Sequence, residues 1–131
     1  MLEYKKKGIF WPYYNVKLVK KIEVTIPVNR INAISDAITG VVGGFTILEG
    51  NGRGSGKRQN IRSERGTKTI TAEYNKVAII STIVDDSIVE KVCKIIEEEA
   101  YSGENTDGII AISNVDNVFN IGTKKENSEA L

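Results

Sequence analysis

Hydrophobic and polar residues alternate in the first regular segment of the chain. Between Lys17 and Ile26, one parity carries the apolar side chains Leu18, Ile22, Val24 and Ile26, interrupted by Lys20, and the other carries Lys17, Lys21, Glu23 and Thr25. This period is typical of a half-buried β-strand. Pro27 is predicted to end the strand, and Asn29 is the predicted N-cap of a helix. The helix is indicated by apolar residues at helical spacing: Ile31, Ile34, Ile38 and Val41.

A second strand and a long loop follow this helix. The segment Phe45–Glu49 is strand-like. Residues Gly50 to Tyr74 are polar, rich in glycine and basic side chains, and without a sustained period, which predicts a loop. Lys76–Val84 is strand-like throughout, so the loop is predicted to connect two strands.

The remainder of the chain repeats the strand and helix order. Asp85, Asp86 and Ser87 are predicted to cap a second amphipathic helix, in which Ser87 and Glu90 have capping-box spacing. Asp107 to Ser113 is predicted as the last full strand, and residues 118 to 121 as a further short one. The tail, residues 124 to 131, is expected to be frayed.

The predicted order is strand, helix, strand, loop, strand, helix, strand. It is typical of an α+β, ferredoxin-like βαββαβ domain with two helices on one face of an antiparallel sheet. In the third strand Val77, Ile79 and Ile83 point one way, while Ala78, Ile80 and Val84 point the other. Both faces of this strand should therefore be buried. Because the two helices cover only one face of the sheet, a second subunit is predicted against the other. The alternative is that the N-terminal aromatic residues fold over it: Phe10, Trp11, Tyr13 and Tyr14.

Composition narrows the function without identifying it. The 131 residues fit one domain, predicted over 17–123 with an extension at 1–16 and a tail at 124–131. The net charge of +1 gives no global attraction to nucleic acid. The chain has no histidine, the commonest general base and metal ligand, which disfavours an enzyme. Cys93 is the single cysteine, and no apolar run is long enough for a membrane span, so we expect a cytoplasmic protein.

The strongest local candidate for binding chemistry is the turn after the second strand. Gly52 and Gly54 flank Arg53 there, and glycines let backbone amides approach an anion. Ser55 adds a hydroxyl, and further basic side chains follow in the loop: Lys57, Arg58 and Arg62. A phosphate-binding turn is one interpretation, and a solvated flexible loop is the other.

Several motifs, in order on this frame, resemble the PII signal-transduction superfamily over residues 17 to 123. They are Gly44-Phe45-Thr46-Ile47-Leu48-Glu49, Gly52-Arg53-Gly54-Ser55, Ser102-Gly103 and Asp107-Gly108-Ile109-Ile110. The chain departs from typical members at three basic positions, which here are Ile109, Asn120 and Gly122. In its turn and its last strand it is more similar to divergent PII-like proteins, including those associated with bicarbonate transport.

The resemblance implies a homotrimer that binds an adenine nucleotide between subunits. ADP, ATP or AMP would be the ligand, and Mg²⁺ could accompany ATP. The implied site residues are Thr46, Gly52, Arg53, Gly54, Ser55, Arg58, Arg62, Gly108, Ile109 and Ile110. The loop at about 50–74 would be the T-loop that regulates a transporter or metabolic enzyme of nitrogen or inorganic-carbon metabolism. The resemblance implies no catalysis, and membrane contact only through a transporter.

Two other functions fit the same architecture. The basic residues of the loop, among them Arg65 and Lys68, suit an RNA-binding ferredoxin-like module, although the central strands lack the aromatic pairs that stack on bases. A metal-tolerance trimer of the CutA type is the second alternative, which the absence of histidine and the long basic loop disfavour. No nucleic acid is therefore expected as a partner.

Overall fold

The computed structural model describes residues 5–6, 9–10, 18–55, 58, 60–62 and 69–131. Most of the predicted N-terminal extension lies outside these residues, as do Lys17 and the loop residues Lys57, Arg65 and Lys68. The covering role considered for the N-terminal aromatic side chains therefore stays a prediction.

The elements of the described ranges follow the predicted order. The strands are β1 (Lys5–Lys6), β2 (Ile9–Phe10), β3 (Val19–Pro27), β4 (Thr46–Gly52), β5 (Asn60–Arg62), β6 (Thr69–Thr71), β7 (Asn75–Asp85) and β8 (Ile109–Asn114). The helices are α1 (Ile31–Ile38) and α2 (Val89–Ala100), and short 3-10 helices span Val28–Arg30, Asp86–Ile88 and Asn127–Ala130. Neither α-helix is long and apolar enough to cross a bilayer.

An antiparallel sheet of four strands in the order β4-β7-β3-β8 forms the body of the protein. The central pair is in register from Val19 opposite Asp85 to Pro27 opposite Val77. β8 pairs with the other edge of β3, and β4 with the other edge of β7. This topology, with two helices, confirms the predicted ferredoxin-like fold.

The hydrophobic core lies between the two helices and one face of this sheet. Ile34 and Ile38 of α1 and Val92 and Ile96 of α2 are fully buried. They belong to one cluster with the inward side chains of β3 and β7: Ile22, Val24, Ile26, Ala78, Ile80 and Val84. Thr82 is the buried polar side chain of this face, and its hydroxyl donates a 2.6 Å hydrogen bond to the Gly44 carbonyl. That bond fixes the entry to β4 against β7.

The opposite face of the sheet carries apolar side chains that the helices do not cover. Leu48 lies directly across from Ile79, and Ile109 across from Thr25. Leu48 is 64% exposed and Ile109 is 71% exposed, while Ile79 is half-buried. The alternation predicted for β7 is thus observed, and one of its two faces has no helical layer.

The predicted cap of α1 is wrong, whereas the predicted capping by Asp85 before α2 is confirmed. Asn29 lies inside the 3-10 helix that joins β3 to α1, and no side chain caps either helix there. Before α2 the cap is Asp85, whose carboxylate accepts hydrogen bonds from the Ser87 amide, at 3.0 Å, and the Ser87 hydroxyl. Each strand runs directly into a 3-10 turn, so the capping position moves toward the strand and no capping box forms.

The structure also changes the boundaries of the predicted loop and the last strand. β4 extends to Gly52 because its last residues pair with β7, which overrides their weak strand propensity. Between β4 and β7, the strands β5 and β6 form a short antiparallel ladder. In place of the short strand predicted at residues 118–121 there is one isolated bridge, between Phe119 and Glu126.

The C-terminal tail is ordered against the domain, so the prediction of a frayed end is wrong. Ala130 is only 8% exposed. The side-chain Nδ2 of Asn120 donates to the Ala130 carbonyl at 3.0 Å, and the backbone amide of Val118 donates to Asn127 Oδ1 at 3.2 Å. The Ser128 hydroxyl donates to the Asp85 carboxylate. The bond from Ser128 joins the tail to a residue 43 positions away, and no local sequence signal marks it.

Replacing Ser128 by alanine is expected to raise the pKa of Asp85. The hydroxyl of Ser128, followed by the hydroxyl and amide of Ser87, lowers this pKa from 3.8 to about 2. Because the folded-state pKa is depressed, the stabilisation is present above the ordinary pKa and is lost as the pH falls toward 2. Carbon-detected NMR titration of the Asp85 carboxyl measures the change. Ser113→Ala on β8 is the control, and an unchanged Asp85 pKa in Ser128→Ala would contradict the tail contact.

Candidate functional site

An open cleft of about 550 Å³ lies at one end of the sheet. Its walls are the end of β3, the 3-10 helix Val28–Arg30, the turn after β4, the start of β7 and the loop that leads into β8. Antiparallel pairing brings these segments together, because Gly52 lies opposite Asn75 and Ile109 lies opposite Thr25. The cleft is therefore a direct consequence of the strand order.

Gly108 sets the close approach of one wall to the sheet. Its φ is +131°, and a Cβ added there would lie 2.4 Å from the Thr25 carbonyl oxygen. A side chain at this position meets both an unfavourable backbone conformation and a backbone clash. Only glycine allows the loop to approach the β3 backbone this closely.

Asp107 holds the shape of the same loop. Its carboxylate accepts hydrogen bonds from the backbone amides of Ser102, Gly103 and Glu104 at 2.7, 2.9 and 3.3 Å. It also accepts one from the Ser102 hydroxyl, and these bonds, the hydroxyl first, lower the pKa of Asp107. Asp107 therefore caps the turn that leads into β8.

Basic side chains outnumber acidic ones in the cleft. Arg30, Arg53 and Lys76 line it, and Asp107 is the acidic residue among the lining residues. Arg53 Nη1 lies 3.5 Å from Glu73 Oε2 in a pair whose side chains are 47% and 70% exposed. Exposed pairs of this kind contribute little to stability, so Arg53 can exchange its partner at low cost. The arrangement suits an anionic ligand.

The structure brings six of the ten predicted site residues into this cleft. They are Gly52, Arg53, Gly54, Ser55, Gly108 and Ile109. Of the others, Thr46 lies at the opposite end of β4, across from Ser81, and Arg62 ends β5. Arg58 and Ile110 are not among the lining residues of the cleft. A role for these four in a site shared with another subunit stays a prediction.

Sequence reasoning missed the lining residues Arg30, Asn75 and Lys76. Each lies next to the end of a regular element, and no motif marks it. Arg30 ends the 3-10 helix before α1, and Asn75 is the first residue of β7. The pairing of Asn75 with Gly52 could have been found only after the register between β4 and β7 was known.

A second cavity of about 570 Å³ lies behind the loop that carries Asp107. Its apolar walls come from β3, α2 and β8, and they include Ile96, Ala100 and Ile110. Glu97 and Glu104 are among its polar lining residues, which contain no lysine or arginine. This cavity therefore suits a phosphate group less well than the first cleft does.

Comparisons with known proteins agree on one family. The family model described as nitrogen regulatory protein P-II matches residues 19–125. Nitrogen regulatory protein P-II of Porphyra purpurea is 36% identical over 114 residues, which are 86% of this chain and 100% of that protein. The protein of the same name from Nostoc punctiforme is 35% identical over 115 residues, with the same coverage of both chains.

A solved structure supports the same fold. The GlnK–ATP complex of B. subtilis superimposes with a TM-score of 0.68, covering 87% of this chain and 98% of that one. Its sequence identity is 21%, so this likeness concerns the fold.

Proposed function

Because this chain belongs to the nitrogen regulatory protein P-II family, we propose that it is a non-catalytic signalling protein that binds an adenine nucleotide and reports it to a partner. The single observation that carries the proposal is the cleft at the end of the sheet, which combines Arg53, Gly54 and Ser55 with Gly108. The family match favours this function over the RNA-binding and CutA-type alternatives.

The charge and size of the cleft support a nucleotide as ligand. Its volume of about 550 Å³ is in the usual range for small-molecule sites. Its basic side chains would pair with phosphate oxygens, and backbone amides next to glycine can approach them closely. A structure of the same fold is an ATP complex of GlnK. ADP, ATP and AMP are the candidates, and Mg²⁺ would accompany ATP.

Asn120 stands where typical family members have a basic residue, and its side chain has a structural role in this chain. Its Oδ1 accepts hydrogen bonds from the amides of Gly122 and Thr123 at 2.9 and 3.0 Å. Its Nδ2 donates to the Ala130 carbonyl. All of its side-chain polar atoms are thus used to hold the C-terminal segment. Asn120 carries no charge and its amide is engaged in these bonds, so other residues would have to offset phosphate charge.

A homotrimer would complete the site. The uncovered sheet face exposes Leu48 and Ile109 beside Ile79, and burial of these apolar side chains between subunits supplies the driving force. In such an assembly the cleft of one subunit would face its neighbour. Thr46 and Ile110 would then border the adenine, as the family resemblance implies.

The segment Gly50–Tyr74 would carry the signal. It begins at the cleft with Gly52 and Arg53 and returns to it before Asn75. A nucleotide that binds one loop arrangement better than another shifts the loop population toward that arrangement. The loop would then dock on, or release, a cytoplasmic enzyme or the cytoplasmic side of a transporter in nitrogen or inorganic-carbon metabolism.

Isothermal titration calorimetry with ATP, ADP and AMP tests the proposal. We expect saturable heat with at least one of them. Arg53→Ala should weaken that binding about three- to tenfold, because Arg53 is exposed and shared with Glu73. Lys91→Ala on the outer surface of α2 is the charge-matched control. No heat from any of the three nucleotides would end the proposal.

A further inference from the structure

We propose that Arg30 is the fixed anchor for the nucleotide's phosphate groups in this chain. The inference rests on the proposed function and names a residue that no motif marks. Arg30 lines the cleft and lies between two regular elements, the 3-10 helix that it ends and α1.

Arg30 is held by regular structure on both sides. It ends the 3-10 helix Val28–Arg30, which continues β3, and α1 begins at the next residue. Its side chain is half-buried and lines the cleft. A side chain on rigid elements loses less entropy when it binds a ligand than one on a loop. Arg30 is therefore better preorganised than Arg53, which leaves β4 for the loop.

The other charged side chains of the cleft, Arg53, Lys76 and Asp107, already make interactions within the protein. Arg53 is paired with Glu73, and the Asp107 carboxylate is occupied by three backbone amides and one hydroxyl. In the part of the chain that the structure describes, no carboxylate lies within salt-bridge distance of Arg30. Its charge is thus available to an anion without the loss of an existing ion pair.

The chemistry of the guanidinium group suits this role. It remains charged at any physiological pH, and its planar set of donors can bind two oxygens of one phosphate group. Arg30 and Arg53 reach the same cleft from different walls, one from the helix side and one from the loop side. A phosphate chain between them would contact Arg30, which lies on rigid elements, and Arg53, which would exchange Glu73 for the phosphate.

Calorimetry with ADP on the full-length protein tests Arg30 directly. We expect Arg30→Gln to weaken ADP binding about 10- to 100-fold, the effect of losing a hydrogen bond to a charged group. The ADP affinity of Arg30→Lys should lie between those of wild type and Arg30→Gln, since lysine keeps the positive charge but lacks the two parallel donors of the guanidinium group. Lys91→Gln, which removes a positive charge from α2, should leave ADP binding unchanged.

The outcomes separate this inference from the proposed function. If wild type binds ADP and Arg30→Gln binds it equally well, Arg30 is not the anchor, while the proposed function stands. If Arg30→Lys and Arg30→Gln lose affinity equally and their urea unfolding midpoints also fall, the residue acts through packing and the inference is wrong. If wild type binds no adenine nucleotide, both proposals fail together.

Discussion

Replacing Gly108 by alanine is expected to destabilise the folded protein by about 2–4 kcal/mol. The φ of +131° is unfavourable for any residue with a Cβ, and that Cβ would lie 2.4 Å from the Thr25 carbonyl oxygen and 3.0 Å from Ile26 Cγ2. The obstacle is the backbone of β3, an inner strand paired on both sides, so it cannot move aside without breaking the sheet. The loop before β8 would have to leave β3, and the cleft would lose one wall.

Urea unfolding of Gly108→Ala and Gly54→Ala at one protein concentration, without nucleotide, makes the comparison. Both glycines line the cleft, but a Cβ at Gly54 meets no atom within 4 Å. Gly54→Ala should therefore change the free energy of unfolding by no more than about 0.5 kcal/mol. A fixed concentration matters because subunit association adds to apparent stability. Equal unfolding midpoints for the two variants would contradict the close approach at Gly108.

The fold could be predicted from the sequence because its signals are local and periodic. The alternation in β7 places Ala78 and Ile80 against the core and leaves Ile79 on the other face. The isoleucines of α1 at helical spacing identify its buried side, and Ile34 and Ile38 are both fully buried. Such positions are specified by the residues themselves together with the period of the element.

The errors concern interactions between residues that are distant in the sequence. Ser128 and Asp85 are 43 positions apart, and their hydrogen bond helps to hold a tail that its composition predicts to be frayed. The last residues of β4 are strand because β7 lies beside them, although glycine and asparagine disfavour strands. Tertiary contacts override local propensity in both cases.

The candidate site was only partly predictable for a related reason. Glycine and arginine at 52–54 form a visible motif, and so does Asp107-Gly108. Arg30 has no motif around it, and it reaches the cleft because β3 ends beside the first residues of β7. A site built from the ends of several strands becomes visible only when the register of the sheet is known.

The uncovered sheet face yields the second large effect: we expect Ile79→Glu to prevent assembly of the proposed trimer. Ile79 is central on that face, with Thr25 beside it on β3 and Leu48 beside it on β4. In a single subunit the new carboxylate would reach solvent, because Ile79 is only half-buried there. Between subunits it would be desolvated without a partner and repelled by its copies, which costs several kcal/mol per charge.

Size-exclusion chromatography with light scattering should therefore give three times 14.4 kDa for wild type and 14.4 kDa for Ile79→Glu. Tyr101→Glu, which alters a side chain 74% exposed at the end of α2, is the control and should remain a trimer. Circular dichroism should show that Ile79→Glu keeps its fold, since the core lies on the other face of the sheet. A wild-type monomer would contradict the proposed assembly, and a trimeric Ile79→Glu would show that another surface joins the subunits. If the trimer is lost as expected, nucleotide affinity should fall with it, because the cleft would no longer face a neighbouring subunit.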